Sequence, residues 1–197
     1  MLRVFRTALA AVVVTAAVVG VGVLVNRPSG PPPAKPLATA LAAADTTTMT
    51  VRRRAFCTAV PTADVAAALG SGASRPTAYR PGQKVALTPT VTDIADEWGC
   101  SWTGTAGRAA RAWLFAPPVT RQRATKLAGQ LPKGCERISA PAFGAPSVAA
   151  ACGETVTLRG LFGDAWLSCE LTSPGLTPAR LLDRAGRWCL VVARAAG

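Results

Sequence analysis

The chain contains no histidine. That absence removes the commonest general base at neutral pH, the usual serine and cysteine dyads and most zinc sites. No serine has a lysine three positions later, and neither a Gly-x-Ser-x-Gly elbow nor a glycine-rich phosphate loop occurs. No catalytic residue, metal ligand or cofactor site is therefore assigned from motifs. Acidic residues are also scarce, 10 against 22 basic ones, for a net charge of +12. Lysine supplies only 4 of the 22.

What is abundant at the start is uncharged apolar sequence. Residues 7–25, "TALAAVVVTAAVVGVGVLV", carry no charge. As a helix rising about 1.5 Å per residue they would reach roughly 28 Å, close to the thickness of a bilayer core. Arg3 and Arg6 precede the run, but it is longer than a usual cleaved leader and leads into Asn26-Arg27-Pro28 rather than a small-x-small site. The expectation is an uncleaved signal-anchor over 7–25 with a cytoplasmic tip over 1–6. Residues 26–55 follow as a Pro/Ala/Thr-rich stalk that ends in Arg52-Arg53-Arg54.

The six cysteines, Cys57, Cys100, Cys135, Cys152, Cys169 and Cys189, all lie beyond this run and include no Cys-x-x-Cys pair. An even set at wide spacing suits disulfides in an oxidising compartment, which places the domain expected over 56–197 outside the cytoplasm on a single-pass protein. Six cysteines permit fifteen pairings, and spacing does not choose among them.

Within 56–197, "PTADVAAALG" (61–70) reads as a short helix with Thr62 as N-cap, Asp64 in the first turn and Gly70 as the stop. Residues 71–97 are polar and broken by proline, with "KVALTPTV" able to add one edge strand. Ala-Trp-Leu then occurs twice, around Trp113 and Trp166. Cys100 precedes Trp113 by 13 positions and Cys135 follows it by 22; Cys152 precedes Trp166 by 14 and Cys189 follows by 23. Each triplet sits in a strand-like run followed by a proline turn, a helix opened by Thr120 or Thr177, and a cysteine leading into "CERIS" or "CLVVA". This predicts an α+β fold, an antiparallel sheet with packed helices, in which a β-β-α-β unit is used twice. Both tryptophans are expected in the core, and Asp164 in a hairpin turn after Gly163.

Three surfaces are candidates for function. Asp93, Asp96 and Glu97 could converge as a cation-binding or glycosidase-like cluster, the latter being what an envelope-acting enzyme would use. Arg121, Arg123 and Lys126 on one helix, with Arg180, Arg184 and Arg187 on the other, form a candidate surface for anionic lipid or wall polymer. The loop bearing Arg75, Tyr79, Arg80 and Lys84 is a candidate contact for a protein partner, including one in the membrane. Nucleic acid is not expected, because an exported domain meets headgroups and wall polymers first.

The stretch "FCTAVPTADVAAALG" followed by "GCSW" (99–102) resembles a family of exported, lipoprotein-like actinobacterial surface domains of unknown function. In that family a first cysteine precedes a helix of small apolar residues ending in Leu-Gly, and pairs with the cysteine of a later Cys-Ser/Thr-Trp strand. The resemblance covers roughly residues 56–115 and implies a Cys57–Cys100 bridge, an α+β fold and a surface role. Richness in Ala, Val, Arg and Gly points to the same high-GC source. For the full set, the neighbouring scheme Cys57–Cys100, Cys135–Cys152, Cys169–Cys189 is preferred. A symmetric scheme, Cys100–Cys135 and Cys152–Cys189 with Cys57–Cys169, stands second. The resulting expectation is a membrane-anchored extracytoplasmic binding or accessory domain, with the envelope enzyme as its alternative.

Overall fold

The computed structural model describes residues 39–86 and 92–197. The expected tip and anchor lie outside the described residues, as does the first part of the stalk. Among the described residues no helix is long and apolar enough to cross a membrane.

In chain order the elements are α1 (Thr62–Leu69), β1 (Thr77–Tyr79), β2 (Lys84–Ala86), β3 (Thr92–Ile94), β4 (Glu97–Thr103), β5 (Ala109–Phe115), α2 (Arg121–Gly129), β6 (Glu136–Ile138), β7 (Ser147–Cys152), β8 (Thr155–Phe162), β9 (Ala165–Thr172) and α3 (Pro178–Ala195). Seven strands form one antiparallel sheet in the order β1-β4-β5-β9-β8-β7-β6, and β2 pairs with β3 separately. The α+β expectation holds.

Alternation along each strand divides the sheet into two faces. On β9, Leu167, Cys169 and Leu171 join the main core, whereas Trp166 joins a smaller cluster with Val119, Ala124, Ala128, Val148 and Leu161. The first set points to α1 and α3, which cover what we call the inner face; α2 covers part of the outer face. Trp102 and Trp188 meet edge to face across the inner core, centroids 5.2 Å apart, an arrangement aromatic quadrupoles favour.

The helices form for identifiable reasons. α1 starts at its expected cap residue: Pro61 occupies the N-cap, and Thr62 is already helical. Its stop is as expected, since Gly70 adopts φ 62° and returns its N–H to the carbonyls of Ala66 and Ala67. Thr120 caps α2 by accepting from the Arg123 N–H at 3.2 Å. The far end of α2 is met by two arginines of the sheet, Arg137 donating to the Ala128 carbonyl and Arg159 to that of Gln130. Both charges suit the negative end of the helix dipole.

α3 departs from expectation. "CLVVA" was expected as a strand, but the helix runs through Gly186 to Ala195. Leu181, Ala185, Trp188 and Val192 recur at helical spacing and are buried, so packing overrides the β-preference of the two valines. Gly186 is a packing residue rather than a stop: a Cβ there would lie 3.0 Å from the Leu41 Cβ. The second copy of the repeat thus lacks its closing strand. The two Ala-Trp-Leu triplets do lie on adjacent strands, with Leu114 paired to Leu167 and Trp113 to Ser168. The helices that follow them nevertheless pack on opposite faces.

Residues 39–55, read from composition as stalk, lie against the domain. Leu41 and Val51 are buried in the main core, Thr46 donates to the Ala142 carbonyl and accepts from the Gly144 N–H, and the Arg52 N–H reaches the Ala196 carbonyl at 2.8 Å. A few well-placed apolar residues fasten a segment whose mean composition is weak.

The cysteines pair as Cys57–Cys100, Cys135–Cys152 and Cys169–Cys189, with Cα separations of 5.6, 4.4 and 5.6 Å. These separations are within the range a disulfide requires. The neighbouring scheme is the one present. The first bridge fastens the turn Cys57–Ala59 to β4 and the third fastens β9 to α3, while the second ties the approach to β6 to the end of β7.

Candidate functional site

The polar stretch 71–97 is an arm. β1 and β4 pair with Tyr79 opposite Gly99, and β2 and β3 pair with Lys84 opposite Ile94. Both pairings share one register, so the two pairs form a single long hairpin interrupted at Arg80-Pro81-Gly82-Gln83. There a turn closes through the Gln83 N–H to the Arg80 carbonyl at 3.1 Å, with Gly82 at φ 83°. Such a φ suits glycine, and proline before it presets the turn. Beyond the bend, Lys84, Val85 and Ala86 face Thr77, Tyr79, Ser101, Arg111 and Trp113 across a groove of about 900 Å³ on the outer face. That size is in the range of small-ligand sites.

The groove floor is built by alternation on three strands. Arg111 and Trp113 on β5 stand opposite Ser101 and Gly99 on β4, which stand opposite Thr77 and Tyr79 on β1. Gly99 is required: a Cβ there would come 2.1 Å from the Tyr79 Cζ. The tyrosine ring therefore lies over the glycine, and its hydroxyl donates to Glu97 Oε1 at 2.7 Å. Burial raises the Tyr79 pKa well above its ordinary value, the Glu97 bond and charge adding to this, while a hydrogen bond with Trp113 opposes it. Burial likewise raises Glu97, the Tyr79 hydroxyl pulling it down and the Asp96 charge pushing it up. Arg111 is held by Glu170 at 2.8 Å.

The expected site residues are distributed as follows. Tyr79 and Lys84 line the groove; Arg80 lines a shallower apolar pocket with Trp98 on the other side of β1; Arg75 is exposed on the approach to β1. Of the three acids, Asp96 and Glu97 are electrostatic neighbours, the Asp96 charge pushing the Glu97 pKa up. Asp93 accepts from the Ile94 N–H at 2.7 Å, Glu97 serves Tyr79 from behind the groove wall, and no three acids or cysteines among the described residues come together as a metal-binding group. Arg121, Arg123 and Lys126 are exposed on α2, but Arg180, Arg184 and Arg187 belong to α3, across the sheet. The single basic face expected from the two helices is thus split, because the helices cover opposite faces. Arg187 is engaged by Asp183 one turn before it.

Trp166 is buried as expected, but Trp113 is only partly buried and lines the groove. The signal that distinguishes them is Arg111. Two positions before Trp113, it marks that strand face as one not closed over by core, whereas the corresponding neighbour of Trp166 is Asp164 in the hairpin turn, as expected for that residue. Thr77, Gln83 and Ser101 also line the groove and carry no comparable sequence signal.

Compared with family models, with curated proteins and with solved structures, the chain gives no match.

Proposed function

We propose that this chain is a membrane-anchored extracytoplasmic binding domain, held by residues 7–25 at an actinobacterial cell surface, and that the outer-face groove takes a saccharide segment of an envelope polymer. The carrying observation is Trp113 lining the groove beside Tyr79, with Thr77, Gln83, Lys84, Ser101 and Arg111 around them. A flat apolar ring suits the C–H face of a pyranose, and a surround of hydroxyl, amide and cationic groups suits its oxygens. The three disulfides support an oxidising compartment. The positive charge outside the anchor supports attraction to anionic polymer as a general field, since its two helical clusters do not form one patch.

The test is titration of the purified full-length chain with neutral and carboxylated pyranose oligosaccharides. Trp113→Ala should weaken binding by about tenfold or more, the effect of losing a central aromatic contact. Binding equal to the parent in this variant and in Tyr79→Phe would remove the groove as the site.

A further inference from the structure

The inner face carries a second feature at the end of the sheet where α1 stops. A Cβ placed on Gly70 would lie 3.2 Å from Arg184 Nη1 and 3.8 Å from Arg108 Nη1. Guanidinium groups from α3 and from the β4–β5 turn thus approach one point. Neither belongs to an ion pair among the described residues, and Asp183, next to Arg184, is engaged by Arg187.

Four buried side-chain polar atoms lack a hydrogen-bond partner among the described residues, and three of them, Arg108 Nε, Ser173 Oγ and Trp188 Nε1, belong to this end of the inner face. The register places Arg108 and Ser173 opposite each other, one step beyond the pair Ala109 and Thr172. Trp188 lies one turn after Arg184 on α3 and packs on Trp102. Ser173 is 1% exposed and Trp188 0%. Gly104 lets the pieces close up, since a Cβ there would be 3.2 Å from the Leu69 Cβ and 3.5 Å from the Arg108 Cβ.

Two guanidinium groups, an indole N–H and a hydroxyl are all donors, and two of them are cationic. An unpaired buried donor is costly, so a built cluster of them calls for an acceptor. The negative end of α1 would attract cations by itself. It does not account for this cluster, however, because the helix end is already closed by the Gly70 N–H and neither arginine hydrogen-bonds to it. Nor would a helix end explain an unpartnered indole N–H and hydroxyl.

We propose that Arg108, Arg184, Ser173 and Trp188 form a phosphate-type oxyanion site, independent of the groove. Arginine forks match the oxygens of a phosphate, and the neutral donors take what remains. The ligand is either free inorganic phosphate or the terminal monoester of a larger envelope molecule.

The full-length chain titrated with sodium phosphate at constant ionic strength, followed by ³¹P NMR, should show saturable binding. Arg184→Gln should weaken it by about tenfold or more, as expected for loss of a charged hydrogen-bonding partner. Lys133→Gln, exposed in the turn between α2 and β6, should leave it unchanged. Glycerol 3-phosphate binding as well as phosphate identifies an esterified end as the source, and binding of phosphate alone identifies the free ion. Should Arg184→Gln not fold, Ser173→Ala decides in its place by the same loss. No saturable binding overturns the proposal, and so does equal binding in the folded Arg184 or Ser173 variant.

Discussion

The two faces of the sheet solve different problems with the same strands. The inner face is closed by α1, α3 and the segment 39–60, with Phe56, Leu167, Leu171 and Trp188 all at 1% exposure or less. Among the described residues the outer face is closed where α2 lies, over Val148, Leu161 and Trp166, and elsewhere is a groove floor under a bent arm. Strand alternation makes this possible: each residue spent on the inner core leaves its neighbours free for the outer side. The enclosed core therefore lies on the inner face and the groove on the outer one, and substitutions in the two should differ in their cost to stability.

The sharpest comparison is between two tryptophans. Trp188→Ala should cost about 3–5 kcal/mol, because a fully buried ring leaves a cavity that α3 cannot close. Trp113→Ala should cost under about 1.5 kcal/mol, since its ring is partly exposed and leaves no enclosed void. Urea unfolding of both variants checks this; equal costs would mean that the outer floor is part of the core.

Next come the bridges. Cys169–Cys189 and Cys135–Cys152 close loops with sequence separations of 20 and 17, for which chain entropy alone contributes roughly 3 kcal/mol each. Replacing Cys169 and Cys189 by alanine should cost more than the same change at Cys135 and Cys152. The former are 0% exposed and leave unfilled space, whereas the latter are partly exposed at a sheet edge. Calorimetric melting of the two double variants ranks them.

The smallest effect concerns Glu97, behind the groove wall. Burial lifts its pKa in the folded protein above the ordinary 4.5. The stability tied to its protonated form is therefore complete below that value and is lost as pH rises through the higher folded value. Glu97→Gln escapes this loss. Its melting temperature relative to the parent should rise between pH 4 and pH 7, and a constant difference would show that the carboxylate is not desolvated.

Much of the inner face can be read along the chain, because its devices are local. Gly70 after an apolar helix is such a device, and on the outer side Thr120, which accepts the N–H three positions later, is another. Cys189-Leu190-Val191-Val192 misleads for the opposite reason: its conformation is set by the sheet beneath α3, not by its own valines. The groove depends on a bend at Pro81-Gly82 that returns Lys84 over strands β4 and β5, a contact across separations no local pattern encodes. The donor cluster is harder still, since Arg108, Ser173, Arg184 and Trp188 meet only once three elements have packed. Leu41 and Val51 show the limit of composition, as two side chains decide the placement of a segment whose average predicts a spacer.

That segment also determines how the domain would bear a load. A pull arriving from the N-terminal side meets Leu41 under Gly186 and Thr46 on the 142–144 loop before it reaches any strand. Residues 52–54 then run beside residues 196–197, joined by the Arg52 N–H and by Arg54 to the Gly197 carbonyl at 2.8 Å. Force passing into α3 continues through the Cys169–Cys189 bridge into β9 at the middle of the sheet. Tension is thus taken up by peeling a peripheral strap and by a covalent link, and the outer floor with its arm lies off the line of stress.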